Sequence, residues 1–407
     1  MSRIFVPILA LGLATGALVS LPALAEIPNN TVKIGVLTDM SGPFSDQVGA
    51  GSVVAAKLAA EDFAGESKGL KVEILSADHQ NKPDIGVAVA SRWIDQDGVN
   101  AIVDLPNSGV ALGVAGVLRD KHRVTLASSA LTSDMTGKAC APTTVQWVSD
   151  TWAQGASTVN AMQKQGLDTW YFITVDFALG QALERDATAA LTAAGGKALG
   201  STRVPLSTAD FGSPLLAAQG SGAKVVAMAN TGADAINSVK QAQEFGLTSS
   251  GIKLAALFMQ ISDIKSLGLP AAHGLQLTEA FYWDLNDKTR AWSKRFAERM
   301  NGRMPTEDHA GVYSATLAYL RAVRDAQTVV GEEVVAAMRK APIDDPLFGT
   351  VTIRPDGRAV HDMYLFQVKT EAESKGPWDL YTLQGTIPGD AAFRAVGAGA
   401  CPMIKAP

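Results

Sequence analysis

From residue 32 onward, short apolar blocks alternate with longer stretches of helical periodicity. Residues 32–37, 72–75, 101–105 and 124–127 read as strands, with helices over 51–63, 83–95 and 110–120 between them. The strand blocks are largely apolar, each broken by one polar residue (Lys33, Glu73, Asp104, Thr125), close to the continuous runs of strands covered on both faces. Such runs separated by helices predict crossover units around a parallel sheet.

The rhythm restarts after Cys140-Ala141-Pro142. Strands are predicted over 170–174, 197–204, 225–229 and 254–257, and helices over 152–165, 179–194, 213–220 and 232–245. Gly195-Gly196 and Gly246 stand where helices should stop. The chain therefore holds two similar α/β halves. The tail differs: a strand over 275–281, helices over 288–301, 308–327 and 331–340, then strands over 350–353 and 363–368 around the turn Arg354-Pro355-Asp356-Gly357. These pieces can complete the first half if the chain crosses between lobes more than once, as a hinged clamp requires.

The first residues change the picture of where the chain works. Arg3, an apolar run over 4–19 and Ala23-Leu24-Ala25 form the pattern of a secretory signal over residues 1–25, cut after Ala25. A periplasmic location follows. No other window holds the ~18 uninterrupted apolar residues of a membrane-spanning helix. The remaining length exceeds one ordinary domain, so two lobes are expected.

Net charge is −5 and no basic block occurs, which argues against a nucleic-acid partner. The two cysteines, Cys140 and Cys401, are an even number in an exported chain and are expected to pair. His79, His122, His273, His309 and His361 form no metal pair at helical spacing, so no metal is expected. The chain has no G-x-S-x-G elbow and no Walker loop. Gly49-Ala50-Gly51 lacks the third glycine of a dinucleotide fingerprint. Neither a cofactor nor an enzymatic activity is expected.

In open α/β sheets ligands bind beyond the carboxyl ends of the strands. Three loops of the first half fall there: Asp39 to Ser45, which carries Phe44; Pro106-Asn107-Ser108-Gly109; and Ser128-Ser129-Ala130-Leu131-Thr132-Ser133. Each puts hydroxyl, amide or backbone N–H groups near a helix start, which favours an anion. Plain helix capping by Asn107, Ser129 or Ser133 is the competing role. The second half supplies Trp152, Phe177, Asn230, Thr231 and Met259 after its strands, and Trp283 follows the strand that opens the tail. Ordinary core packing competes for each aromatic. Polar donors facing apolar walls suit an amphipathic acid.

On these residues the chain resembles the Leu/Ile/Val-binding, branched-chain amino acid type of periplasmic substrate-binding protein of ABC transporters. The resemblance spans essentially the whole mature chain. It is carried by V-K-I-G-V-L-T-D-M-S-G-P-F from Val32, by V-V-A-M-A-N-T-G from Val225, by K-Q-A-Q-E-F-G-L from Lys240, by G-V-Y-S-A from Gly311, and by D-D-P-L-F-G from Asp344 with I-R-P-D-G-R after it. It implies a type I periplasmic binding protein (Venus flytrap) fold with crossovers near 147–151, 276–282 and 361–365. One lobe would comprise 26–148 plus 281–362, the other 149–280 plus 363–407. The ligand carboxylate would rest on Asn107, Ser108, Ser129, Ala130 and Leu131, with Thr132 supplying the hydroxyl that amino-acid binders carry where Leu131 stands. The protein would act as a monomer that delivers a small carboxylate to a membrane permease; a ligand-sensing role on the same fold is the alternative. Amino-acid binders also place an acid after the strand ending near Leu257, and here Phe258-Met259-Gln260-Ile261 carries none before Asp263. A buried ammonium needs a partner, so an aromatic or other amine-free acid is favoured. Amino-acid binding stays open, with Asp263 or Asp234 as the acid.

Overall fold

The computed structural model describes residues 27–404. The expected signal over residues 1–25 lies outside the described residues.

The first sheet is built from β1 (Thr31–Thr38), α1 (Gly49–Ala64), β2 (Lys71–Asp78), α2 (Pro83–Arg92), β3 (Ala101–Asp104), α3 (Ser108–Asp120), β4 (Val124–Ala127) and β5 (Thr144–Gln146). Its order is β2-β1-β3-β4-β5, and every pairing is parallel. The central strands β3 and β4 are buried at every residue, whereas β2, on the edge, is nowhere fully buried. Burial along the whole strand thus marks those with helices on both faces, the polar Asp104 and Thr125 included.

The second sheet repeats the plan. Its elements are α4 (Thr151–Gln163), β6 (Thr169–Val175), α5 (Ala178–Ala193), β7 (Lys197–Val204), α6 (Gly212–Gly220), β8 (Val225–Ala229), α7 (Gly232–Glu244) and β9 (Lys253–Ala256). The order β7-β6-β8-β9 is that of the first four strands of the first sheet. Two short helices, α8 (Ile261–Leu267) and α9 (Leu269–Ala272), then lead to β10 (Gln276–Glu279).

The tail divides between the two cores. α10 (Asp287–Arg299), α11 (Glu307–Ala326), α12 (Gly331–Arg339), β11 (Ile343–Asp345), β12 (Gly349–Ile353) and β13 (Ala359–Val360) pack with the first sheet. β14 (Met363–Val368) and β15 (Tyr381–Ile387) form an antiparallel sheet with β10, and their Phe366, Val368 and Tyr381 join the second core. The last short helix, α13 (Gly389–Ala392), returns to the first core, where Ala392 and Phe393 pack. Cys401 is bonded to Cys140, with their Cα atoms 5.6 Å apart. The expectation had put 363–407 with the second lobe; the packing of residues 389–401 is with the first.

Short segments escaped the sequence pattern. β5, β11 and β13 have only two or three residues each. β15 is an edge strand with mostly exposed side chains and no apolar run. α11 is the opposite case: every residue from Glu307 to Leu320 is buried, charged ones included.

Candidate functional site

The carboxyl ends of β1, β3 and β4 meet those of β6, β8 and β9, and side chains bridge the two sides. Phe44 and Phe177 stack with centroids 6.2 Å apart. Gln47 Nε2 donates to Asp263 Oδ2 at 2.7 Å and to Thr231 Oγ1 at 3.2 Å. Gln260 Nε2 donates to Asp308 Oδ2 at 2.6 Å. Gly232 sits at φ 58°, and a Cβ there would lie 2.6 Å from the Pro43 carbonyl oxygen across the gap. The two lobes are closed on each other.

On the first-lobe rim, Asn107 is the N-cap of α3: its Oδ1 accepts from Gly109 N at 2.9 Å and Val110 N at 3.1 Å. Ser108 Oγ accepts from Thr132 N at 3.3 Å, and Thr132 Oγ1 accepts from Asp134 N at 3.4 Å. Neither hydroxyl donates to any described residue. Ser129 Oγ donates to Asp104 Oδ1 at 2.5 Å. The carbonyls of Ala130 and Thr132 accept from Gln146 Nε2 at 2.7 and 3.1 Å. Leu131 reaches across into the second-lobe core, and its carbonyl accepts from Thr151 N at 2.8 Å. The following residue, Ser133, donates to Asp186 Oδ2 of α5 at 2.6 Å, so this loop is stitched to both lobes. Ser45 is half-buried beside Phe44.

On the second-lobe rim, Thr231 meets Gln47, and Phe177 lies at the start of α5. Asn230 Nδ2 donates to Ser238 Oγ at 3.0 Å, while its Oδ1 is buried without a partner. Trp152 is half-buried in the first turn of α4. Met259 packs in the second core. Trp283 donates its indole N–H to the Trp378 carbonyl at 2.8 Å, which joins it to the 370–380 segment. The rim therefore gathers Phe44, Ser108, Ser129 to Thr132, Phe177 and Thr231. It leaves Met259 in a core and Trp283 on a separate loop.

A junction at the start of α11 adds residues the loop reading did not single out. Thr306 caps the helix, accepting from His309 N at 3.3 Å and donating to the Gln47 carbonyl at 2.7 Å. Glu307 accepts from Ser149 Oγ and from Ala280 N, both at 2.6 Å, so one carboxyl holds two of the segments that run between the cores. Asp308 holds Gln260. Acidic residues in a first helical turn are the common choice for the helix dipole, and Glu307 and Asp308 stand in that position. What sequence does not show is their burial.

Burial pushes the carboxyl of Asp104 up to about 6, against the opposing hydrogen bond from Ser129. It pushes Asp263 up to about 7, opposed by the Gln260 N–H and Gln47. Glu307 rises to about 7 for the same reason, opposed first by the Ala280 N–H. Asp308 and Glu279 rise well above the carboxylate range, through burial first and then the neighbouring Glu307. Among the described residues, no Lys or Arg forms an ion pair with Asp104, Asp263, Glu279, Glu307 or Asp308. Asp308 Oδ1 is a buried acceptor with no donor among the described residues, whereas the Asp104 carboxyl has the hydroxyls of Thr38 and Ser52 beside it as well as that of Ser129, and the Gln260 side chain takes part in a capping box with Asp263. Arg358, fully buried nearby, is committed elsewhere: to Asp150 Oδ2 at 3.4 Å, to the Trp147 and Val148 carbonyls, and to the Phe393 ring. The first-lobe rim thus holds two hydroxyls free to donate, Ser108 and Thr132, and one acidic acceptor without a donor, Asp308 Oδ1.

The family model described as periplasmic binding protein matches residues 31–376. A periplasmic binding protein from Burkholderia mallei superposes with a TM-score of 0.90 at 42% identity, covering 93% of this chain and 100% of its own. A branched chain amino acid ABC transporter periplasmic ligand-binding protein from Burkholderia xenovorans LB400 gives 0.81 at 39% identity, covering 91% and 99%. The curated Leu/Ile/Val-binding protein homolog 3 of Brucella melitensis is 33% identical over 110 residues, 26% of this chain and 29% of that relative's length. With the family model spanning most of the sequence and the fold matching end to end, the chain belongs to the periplasmic binding protein family.

Proposed function

We propose that the chain captures one small solute between its two lobes in the periplasm and hands it to the permease of an ABC import system. The observation that carries this reading is the meeting of strand-end loops from two parallel sheets, latched by Gln47–Asp263 and by the Phe44–Phe177 pair. Ligands of open α/β sheets bind at that edge, and a gap closed from both sides buries a small molecule on all faces.

The solute is a carboxylate that also carries an ammonium, an amphipathic amino acid. Ser108 and Thr132 keep their O–H groups free to donate, which suits a carboxylate. Asp308 Oδ1 is a buried acidic acceptor without a donor, which suits a donor of an ammonium. Phe44, Phe177 and Leu131 supply apolar surface. The sequence favoured an amine-free acid because the loop after β9 lacked a carboxylate. Asp308 reaches the same loop from α11 and meets Gln260 there. The name of the Burkholderia xenovorans protein points the same way.

The test compares amino acids with their deaminated analogues, leucine with 4-methylpentanoate and phenylalanine with phenylpropionate, by thermal shift and calorimetry. A ligand at a hundred times its Kd stabilises the native state by about 2.7 kcal/mol. The amino acid of one pair should raise the melting temperature and its analogue should not. Equal binding of both members would sink the ammonium and leave an amine-free acid as the solute. No binding by any carboxylate would sink the ligand class altogether.

A further inference from the structure

The junction at the start of α11 does more than line a cleft. Five carboxyl groups, Asp104, Asp263, Glu279, Glu307 and Asp308, are each 2% exposed or less, or 3% for Asp308. They face one another: Asp308 faces Glu307, Asp104 and Asp263, and Glu279 faces Glu307, Asp263 and Asp308. The other charged or titratable groups turned toward them are Asp46 toward Asp263, Asp39 toward Asp104, Tyr381 toward Glu279, and Arg358 toward Glu307. His309, next in the helix, is spent on Thr306 and on the Val48 carbonyl, 2.8 Å from its Nε2. Arg303 faces His309, and its Nη2 pairs with Asp46 Oδ1 at 2.9 Å.

Two members of this group exist in their present surroundings only while the lobes are shut. Asp263 lies after β9, and its interlobe donor, Gln47, lies after β1. Asp308 lies in the first-lobe helix α11, and its donor, Gln260, lies after β9. Separating the lobes removes both donors and lets water reach both carboxyls. In water a carboxyl is ionised at neutral pH. Shut in among like charges and away from water, it holds its proton instead.

We propose that closing of the empty clamp takes up protons at Asp263 and Asp308, so that the closed state is favoured as pH falls and lost as pH rises. The direction follows from linkage. Both groups hold protons more tightly shut than open, so the preference for the shut form is complete below the open-state value, near 4 for an aspartate in water. It declines as pH climbs and levels off above the shut-state value, which for Asp263 is about 7. Each linked proton changes the ratio of shut to open molecules by about tenfold per pH unit within that window. The inference does not depend on which solute is captured.

The experiment follows the shut-to-open ratio of the ligand-free exported chain between pH 5 and pH 8, by energy transfer between one dye on each lobe. Small-angle scattering under the same conditions provides the second readout. The ratio should fall at least tenfold across the range. In the variant carrying both Asp263→Asn and Asp308→Asn, whose amides cannot ionise, most of that dependence should vanish while circular dichroism shows the fold kept. If the double variant does not fold, Asp263→Asn alone should lower the slope by about half. A ratio that does not change with pH in the unaltered chain overturns the proposal. So does a folded variant, double or single, that keeps the full slope.

Discussion

Gly232 offers a test of closure that leaves the polar chemistry alone. It opens α7 at φ 58°, facing the Pro43 carbonyl oxygen of the opposite lobe. A methyl group at this position would sit 2.6 Å from that oxygen and 3.3 Å from the Phe44 ring. Gly232→Ala therefore has two costs that fall on different states. The left-handed backbone costs an alanine about 1–2 kcal/mol in the open and closed forms alike. The clash exists only when the lobes are shut. Relief requires the 43–44 segment to back away by several tenths of an ångström, and inserting a methyl into a packed contact costs about 1–3 kcal/mol. Solute affinity should fall by roughly 5- to 150-fold, since 1.4 kcal/mol is a factor of ten. The ligand-free melting temperature should drop by only a few degrees, as about 1–2 kcal/mol implies for a protein of this size. Calorimetry measures the first and a thermal melt the second. An unchanged affinity beside a lowered melting temperature would show that Pro43 and residue 232 do not meet in the ligand-bound protein, and the closed geometry described above would be wrong.

Replacing both Cys140 and Cys401 with Ser removes the link across 261 residues of sequence and should cost about 2–5 kcal/mol in a urea titration. In the unaltered air-exposed protein neither cysteine should react with an alkylating agent, and two reactive thiols would count against the bond. Arg358→Met leaves Asp150 buried without its cation and frees the Trp147 and Val148 carbonyls. Removing one partner of a buried pair typically costs about 3–5 kcal/mol, so a loss below 1 kcal/mol by chemical denaturation would mean that Asp150 carries no charge there.

The central strands were plain in the sequence because a doubly covered strand has no solvent face and is mostly apolar: Ala101–Asp104, Val124–Ala127 and Val225–Ala229 are buried throughout, with Asp104 and Thr125 the polar residues among them. The rim loops were plain for a related reason, since they must follow such strands. Which polar groups on the rim are free was not legible. Asn107 and Ser108 are neighbours, yet Asn107 spends its carbonyl on capping α3 while the Ser108 hydroxyl keeps its hydrogen. Asp308 was harder still. It lies 48 residues from Gln260, its partner, and reaches it only because α11 runs through the first core toward the second lobe. Acid residues at a helix start carry no mark that distinguishes a solvated turn from a buried one. The apolar pattern downstream, Gly311 to Leu320, was the one signal that the whole helix lies inside.

The late position of α11 also bears on how the chain acquires its shape. The core around β1 to β5 includes Tyr313, Leu317, Tyr319 and Leu320, then Val334, Val351 and finally Phe393. Most of the core around β6 to β9 comes from one uninterrupted stretch, residues 170 to 282. Contacts that close long loops form slowly, because the entropy of bringing distant segments together must be met first. An emerging chain can thus assemble its middle third early. Its first third waits as a sheet lacking one cover until α11 and α12 have appeared, and Phe393 completes the core later still. The rim on the first lobe is therefore complete only after segments made late in synthesis have docked on it.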